Sequence, residues 1–420
     1  MHRNCPCAKC TKIADGGQSL DSKGLFVNFQ APGENDLMPT VNIAIVGLGQ
    51  RGLQHLSALW QLDQVRVVAL CDPFPDNLAE AKLQRFVDGF SLDGIRTCGT
   101  FTELLAGGGF DAIYFAIPPS LHRGELLQAV RAGVHLFAEK PVSLYLDEAL
   151  EMDRAIREAG IIATVGFQQR HDNWHIGIRD FLADKRLLMM TYIVNSTLES
   201  HSTKHTHTET VGGPQNRIWT ANRAWSGSTV VEGGIHQTDL MRFWAGDIAW
   251  TEARYLHRPD ADIEDGGDNP DAYSVTYGFA SGAIGHLIIS RLRKTFWGDN
   301  YHDLMWDRGH LKIAADNPVA YYYDGPYPPP EGKVDPDALR HDLDFGPRNN
   351  STLEIARAFV TAVATESETP LLNTFSSSLN SHAAVLGANI SDELGGRRID
   401  LKDLLYADEY SKYRAKPTES

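Results

Sequence analysis

Three glycines, Gly47, Gly49 and Gly52, stand at the spacing Gly-x-Gly-x-x-Gly directly after an apolar run over residues 41–46, and Asp72 closes the next apolar run. Where a strand feeds a helix, the first such glycine permits a tight turn and the second lets the backbone approach a pyrophosphate. The third lets the helix pack close to the sheet, with its N-terminal amides facing the phosphates. Asp72 then stands where a carboxylate accepts hydrogen bonds from the adenosine ribose hydroxyls; equally, Asp before Pro is a common turn cap. The chemistry is dinucleotide binding. A 2′-phosphate would meet repulsion at Asp72, and no Lys or Arg follows within Pro73, Phe74, Pro75 and Asp76, so NAD is expected in preference to NADP. Gln50 and Arg51 lie at the helix start, where Arg51 either meets the pyrophosphate or is simply solvated.

These residues need a frame, and the pattern around them supplies one. Residues 41–46 read as a buried strand, 51–62 as a helix and 65–71 as a second buried strand. Helical segments over 76–86 and 101–105, a strand over 111–117 closed by Pro118 and Pro119, a helix over 121–132 and a strand over 134–138 follow. A helix over 146–159 and a strand over 161–165 complete an alternation that predicts an α/β fold, a doubly wound parallel sheet of Rossmann type. Beyond Gly166 the strands lengthen, at 188–194, 273–279 and 283–290, and predict an α+β domain with a large, mostly antiparallel sheet. Helices over 235–244 and 352–365 are expected on its face. The expected division is a flexible arm over 1–40, a dinucleotide-binding domain over 41–165, and a substrate-binding and oligomerisation domain over 166–420.

Three later segments, taken with the glycine fingerprint, resemble the Gfo/Idh/MocA oxidoreductases. Ala138-Glu139-Lys140-Pro141 is similar to that family's Glu-Lys-Pro motif, and Gly166-Phe167-Gln168-Gln169-Arg170 to the stretch opening its C-terminal domain. Glu232, His236 and Asp239 match a pattern of an acid, a histidine four residues on and a further acid, although Asp is the commoner family residue at the position of Glu232. The resemblance implies hydride transfer at a secondary alcohol carbon of a sugar, glycoside or polyol, with Lys140 and His236 as the paired catalytic groups and Glu232 beside them. Such chemistry needs a base and a positive hydrogen-bond donor flanking one oxygen. The resemblance also places Pro118 and His122 under the nicotinamide, Glu139 and Lys140 at the cofactor, and Arg170 and Asp239 at the substrate. Each has a plainer alternative: Glu232 as a helix cap, His236 as an ordinary helix histidine, Asp239 as a solvated carboxylate or an orienting partner for the imidazole, Lys140 as a surface lysine, and Arg170 and Gln169 in a surface pair. Two other activities fit the same residues, a redox-neutral NAD-dependent glycosidase using transient oxidation and a non-catalytic regulatory protein that senses the dinucleotide. A homodimer or homotetramer is implied by analogy.

Composition sets the outer limits. The 420 residues carry a formal net charge of −15 with no Lys/Arg run, which makes a nucleic-acid partner a poor fit. No apolar stretch reaches the length needed to cross a bilayer and the N-terminus lacks the apolar core of a signal peptide, so a cytoplasmic protein without a membrane partner is expected. Cys5, Cys7 and Cys10, with His2 nearby, invite a zinc reading but read better as part of a disordered tail; no metal is expected. His201, His205 and His207 are expected on a solvated or substrate-facing loop, and Trp219, Trp225 and Trp244 either as sugar platforms or as core.

Overall fold

The near-continuous apolar runs do form strands buried on both faces. A computed structural model of the chain describes residues 39–197, 218–263, 267–292, 299–313, 317–329 and 332–417. The arm with Cys5, Cys7 and Cys10, and the histidines 201, 205 and 207, lie outside the described residues. Strands β1 (Val41–Val46), β2 (Val65–Cys71), β3 (Arg96–Cys98), β4 (Ala112–Phe115), β5 (His135–Ala138) and β6 (Ala163–Val165) make a wholly parallel sheet in the order β3-β2-β1-β4-β5-β6. That is the Rossmann order, with its topological switch between β1 and β4. The crossovers carry helices α1 (Gln50–Leu59), α2 (Glu80–Leu83), α3 (Phe101–Gly107), α4 (Glu125–Arg131) and α5 (Leu146–Ala159). A capping box fixes the start of α3, the Thr100 hydroxyl accepting from Glu103 N–H and the Glu103 carboxylate accepting from Thr100 N–H.

Two helices depart most from what their sequence suggests. The segment expected to be helical over 76–86 opens as a 3-10 turn, Pro75–Leu78, and restarts as α2 after an extended Ala79. The helix expected from residue 121 begins only at Glu125, because Pro118 and Pro119 start a 3-10 turn and Gly124 stands at φ +92°.

Among the described residues the second sheet has nine strands. In order these are β14 (Arg340–Asp342), β13 (Pro318–Tyr322), β12 (Gly309–Ile313), β11 (Asp299–Trp306), β7 (Leu187–Thr197), β10 (Ile284–Leu292), β9 (Ala272–Phe279), β8 (Ile248–Leu256) and β15 (Ile399–Asp400). Neighbours are antiparallel except β7 and β10, which run parallel. Helix α6 (Asn173–Leu182) leads into this sheet, and α7 (Ile235–Ala245) packs on β7 and β10.

Helix α8 (Ser351–Ala364) corrects the sequence reading, which set it on the second sheet. Its buried Ile355, Phe359 and Val360 join Ile43, Leu56, Tyr114 and Phe137 in the core of the parallel sheet, with Phe359 edge-on to both Tyr114 and Phe137. An amphipathic stripe marks a face to be buried, and either sheet offers a partner for it. Helix α9 (Phe375–Glu393) was not expected at all. Its Ser, Ala and Gly residues give little periodicity because it is buried on most sides, packing against β8, α5 and α7. Among the described residues no helix is long and apolar enough to cross a membrane.

Candidate active site

The fingerprint loop is built as its glycines require. Gly47 stands at φ +88°, and a Cβ there would lie 2.5 Å from the Ala116 carbonyl oxygen. A Cβ on Gly52 would lie 1.8 Å from the Gly47 carbonyl oxygen, whereas the space beside Gly49 is open to 4 Å. Gly49 caps α1 without a side-chain hydrogen bond, and no acidic residue stands in the first turn, so the leading amides face an anion site with nothing of their own to satisfy them. The loop therefore fits a pyrophosphate. Gln50, half-buried, opens the helix.

Asp72 is buried behind this loop. Its Oδ2 accepts from Leu48 N–H at 2.7 Å, and its Oδ1 from Phe74 N–H and the Asn77 amide, both at 2.9 Å. The turn-capping role is thus realised, and three of a carboxylate's roughly four acceptor positions are filled, leaving one for a ribose hydroxyl. Lys82 of α2 donates in turn to the Asn77 side-chain oxygen, a lysine the sequence reading did not bring to this place.

The Arg51 side chain, 26% exposed, is held by its neighbours. Its Nε donates to Glu139 Oε1 at 2.6 Å, and its Nη1 to Gln54 and Thr352. His55 Nε2 reaches the same Glu139 oxygen at 2.7 Å, and the Lys140 amide donates to Oε2 at 3.2 Å. Burial alone would raise the Glu139 carboxyl; Arg51 and then His55 more than cancel this and hold it well below the usual carboxylate range. His55 is itself pushed down by burial, with Glu139 opposing, and its Nδ1 is unpartnered. Gly166 makes room for the cluster, because a Cβ there would lie 2.8 Å from Glu139 Oε1. Glu139, expected at the cofactor, accepts from Arg51, His55 and the Lys140 amide.

Lys140 follows at the end of β5, before a cis peptide to Pro141. Its Nζ donates to the Glu232 carbonyl oxygen at 2.8 Å and lies 3.3 Å from Glu232 Oε1, both side chains mostly buried. Glu232 does not cap a helix beginning at Gly234. It sits inside a π-turn, Val230–Gly234, that runs straight into α7, a local widening frequent at functional sites. Gly234 lets this turn lie on β10, since a Cβ would meet Ile289 at 3.1 Å and Leu287 at 3.2 Å. His236, in the first turn of α7, is pushed down to about 3 by burial and then by the Lys140 charge, with Glu139 and Glu232 opposing. The Lys140 ammonium and the Glu232 carboxylate are thus close enough to act on the imidazole through their charge, and Nδ1 of His236 is buried without a partner.

Arg170 and Asp239 do not join them. The guanidinium forks onto the Asp239 carboxylate at 2.7 and 2.8 Å and reaches the Leu372 carbonyl oxygen; Ser381 of α9 donates to Asp239 at 2.8 Å. Both are buried and paired with each other, and no Asp239–imidazole bond is made; the pair ties the 3-10 turn Gln168–His171 to α7. Gln169 gives its carbonyl oxygen to His175. In the Pro118 loop, His122 turns its Nε2 to the Ile117 carbonyl oxygen at 3.3 Å and is held neutral by burial. Trp244 is partly buried against the core and stacked on Tyr192, whereas Trp225 is 48% exposed. A polar residue that sequence reasoning missed is Arg291 of β10, which donates to Ser196 at 2.6 Å and approaches Gly233 of the π-turn. A lone arginine in a strand carries no signal of this. Among the described residues no three His, Cys, Asp or Glu are placed to hold a metal.

Comparison with known proteins places the chain in a family. A family model described as "Oxidoreductase family, NAD-binding Rossmann fold" matches residues 41–167, and one described as "GFO/IDH/MocA C-terminal domain" matches residues 197–310. The scyllo-inositol 2-dehydrogenase (NAD(+)) of Bacillus subtilis is 25% identical over 60% of this chain and 67% of its own length. The myo-inositol 2-dehydrogenase of Thermotoga maritima is 26% identical over 66% of this chain and 75% of its own. Among solved structures, an oxidoreductase from Agrobacterium radiobacter in complex with NAD+, L-tartaric acid and magnesium shares the fold, with a TM-score of 0.68 over 87% of this chain and 99% of that one, at 19% identity.

Proposed function

Because the chain belongs to the Gfo/Idh/MocA family of oxidoreductases, we propose that it is an NAD-dependent dehydrogenase acting on a secondary alcohol carbon of a sugar, glycoside or polyol. Residues 41–165 hold the dinucleotide in this reading, and 166–420 supply the substrate face and the contacts of a homodimer or homotetramer. Gly47, Gly49, Gly52 and the leading amides of α1 take the pyrophosphate, the remaining acceptor position of Asp72 takes a ribose hydroxyl, and the loop from Pro118 to His122 lies beneath the nicotinamide. When bound, the nicotinamide supplies the acceptor or donor of hydride.

The chain's own part is proton and charge management at one oxygen. His236, kept neutral, accepts the hydroxyl proton; a protonated ring could not. The lowered basicity that keeps it neutral also makes it a weak base, so the alcohol must be made more acidic by something else. Lys140 does this, its ammonium stabilising the developing alkoxide in a site with little water. Glu232 holds that ammonium in line from the π-turn and keeps the pair close to neutral before substrate arrives. Relatives named inositol dehydrogenases support a ring polyol or sugar as substrate.

The observation that carries this reading is the Lys140 ammonium on Glu232 within electrostatic reach of His236. The test is a screen of sugars, polyols and glycosides by nicotinamide absorbance, repeated with Lys140→Ala and His236→Ala. Each substitution is expected to lower kcat by roughly 10²–10⁴ with the dinucleotide still bound. Unchanged turnover in either variant overturns the assignment.

A further inference from the structure

We propose that Lys82 sets how strongly this chain discriminates against NADP, by holding a buried positive charge behind the carboxylate of Asp72. The proposal rests on the dinucleotide reading given above. Asp72, Asn77 and Lys82 are only 4%, 1% and 6% exposed. They form one chain of hydrogen bonds: the Lys82 ammonium donates to the Asn77 side-chain oxygen, and the Asn77 amide donates to Asp72 Oδ1. The fingerprint loop closes on the other carboxylate oxygen through Leu48 N–H. The break at Ala79 makes this possible, because it turns α2 so that a lysine five residues beyond Asn77 points back under the strand end.

A carboxylate alone at the end of β2 repels a 2′-phosphate, which is why Asp72 favours NAD. The ammonium one amide group behind it acts on the same phosphate with the opposite sign. Salt weakens such a field little, because the charges lie below the surface. The acids acting on Lys82 are Asp72 and the exposed Asp76; burial pulls the lysine's pKa down and these two pull it back up. A buried ammonium is costly to keep unless paired, and a Leu or Met could brace the turn without that desolvation cost. The arrangement therefore predicts a chain that prefers NAD yet tolerates NADP, and that becomes strict once the charge is removed. A purely structural lysine would instead affect both dinucleotides alike.

The test is direct binding, which needs no substrate. NADH and NADPH are titrated into the purified full-length protein and its Lys82→Gln and Lys82→Arg variants, following nicotinamide fluorescence. Lys82→Gln keeps a donor for Asn77 and removes the charge; it is expected to raise the Kd for NADPH at least fivefold while the Kd for NADH stays within twofold. Lys82→Arg is expected to leave both within twofold. If the Gln variant does not fold, Lys82→Met, which keeps the apolar stem, takes its place with the same expectation. Equal weakening of both dinucleotides, or no change in either, overturns the proposal while leaving the dinucleotide reading intact. An unmodified protein that binds neither NADH nor NADPH overturns that reading and this proposal with it.

Discussion

Replacing Asp239 with Ala separates a structural pair from a substrate contact. In the native protein the Arg170 fork meets the carboxylate at 2.7 and 2.8 Å and Ser381 adds a bond at 2.8 Å. The two charged side chains are 7% and 2% exposed, so the surface-pair value of about 0–1 kcal/mol does not apply. The loss is that of a guanidinium stranded in the interior, about 3–5 kcal/mol. With roughly 1 °C of midpoint per kcal/mol for a chain of this size, thermal unfolding should shift down by about 3–6 °C. The double variant Arg170→Met/Asp239→Leu strands no charge and should recover at least half of that loss. Thermal unfolding followed by circular dichroism gives the midpoint, and steady-state kinetics on the surviving protein give KM. A midpoint within about 1 °C of the unmodified protein together with a raised KM refutes the reasoning and returns both residues to the substrate.

Two further outcomes follow from the same geometry. Gly52→Ala places a methyl 1.8 Å from the Gly47 carbonyl oxygen, so the fingerprint loop must shift and NADH affinity should fall at least tenfold, read by nicotinamide fluorescence; affinity within twofold contradicts the loop's role. Acid should destabilise the protein through its buried histidines. His382, 2% exposed and with both ring nitrogens unpartnered, is pushed down to about 4 by burial. A histidine depressed in the folded state gives stability that is complete above its unfolded value of about 6.5 and lost as pH falls toward 4, here about 3 kcal/mol. His236 extends the same loss toward pH 3. His382→Leu should flatten the fall in thermal midpoint between pH 6.5 and 4 without lowering the midpoint at pH 7.5; an unchanged acid slope contradicts this.

What could be read from the sequence divides along a physical line. The fingerprint glycines and Asp72 were legible because their requirements are local, a positive φ, a close backbone approach and a strand end, whereas Lys140, Glu232 and His236 stood out only through the family resemblance. The alternation of apolar strands and helices likewise fixed the first sheet, since burial on both faces leaves a continuous apolar run. Partner choice among polar side chains is another matter. Arg51 and Glu139 are 88 residues apart and Arg170 and Asp239 are 69 apart, and each of the four looked like a ligand contact when considered singly. Folding brought them into pairs, and an opposite charge at 2.6 or 2.7 Å satisfies a buried group before any ligand arrives. The same argument explains the misplacement of α8, whose apolar stripe specified burial without specifying a sheet, and the absence of any signal for Lys82. A charged residue in a motif is therefore stronger evidence of function when the fold leaves it a partner it can exchange for a ligand. Lys140 on Glu232, at the longer 3.3 Å and partly open to solvent, meets that condition, whereas Arg170 on Asp239 does not.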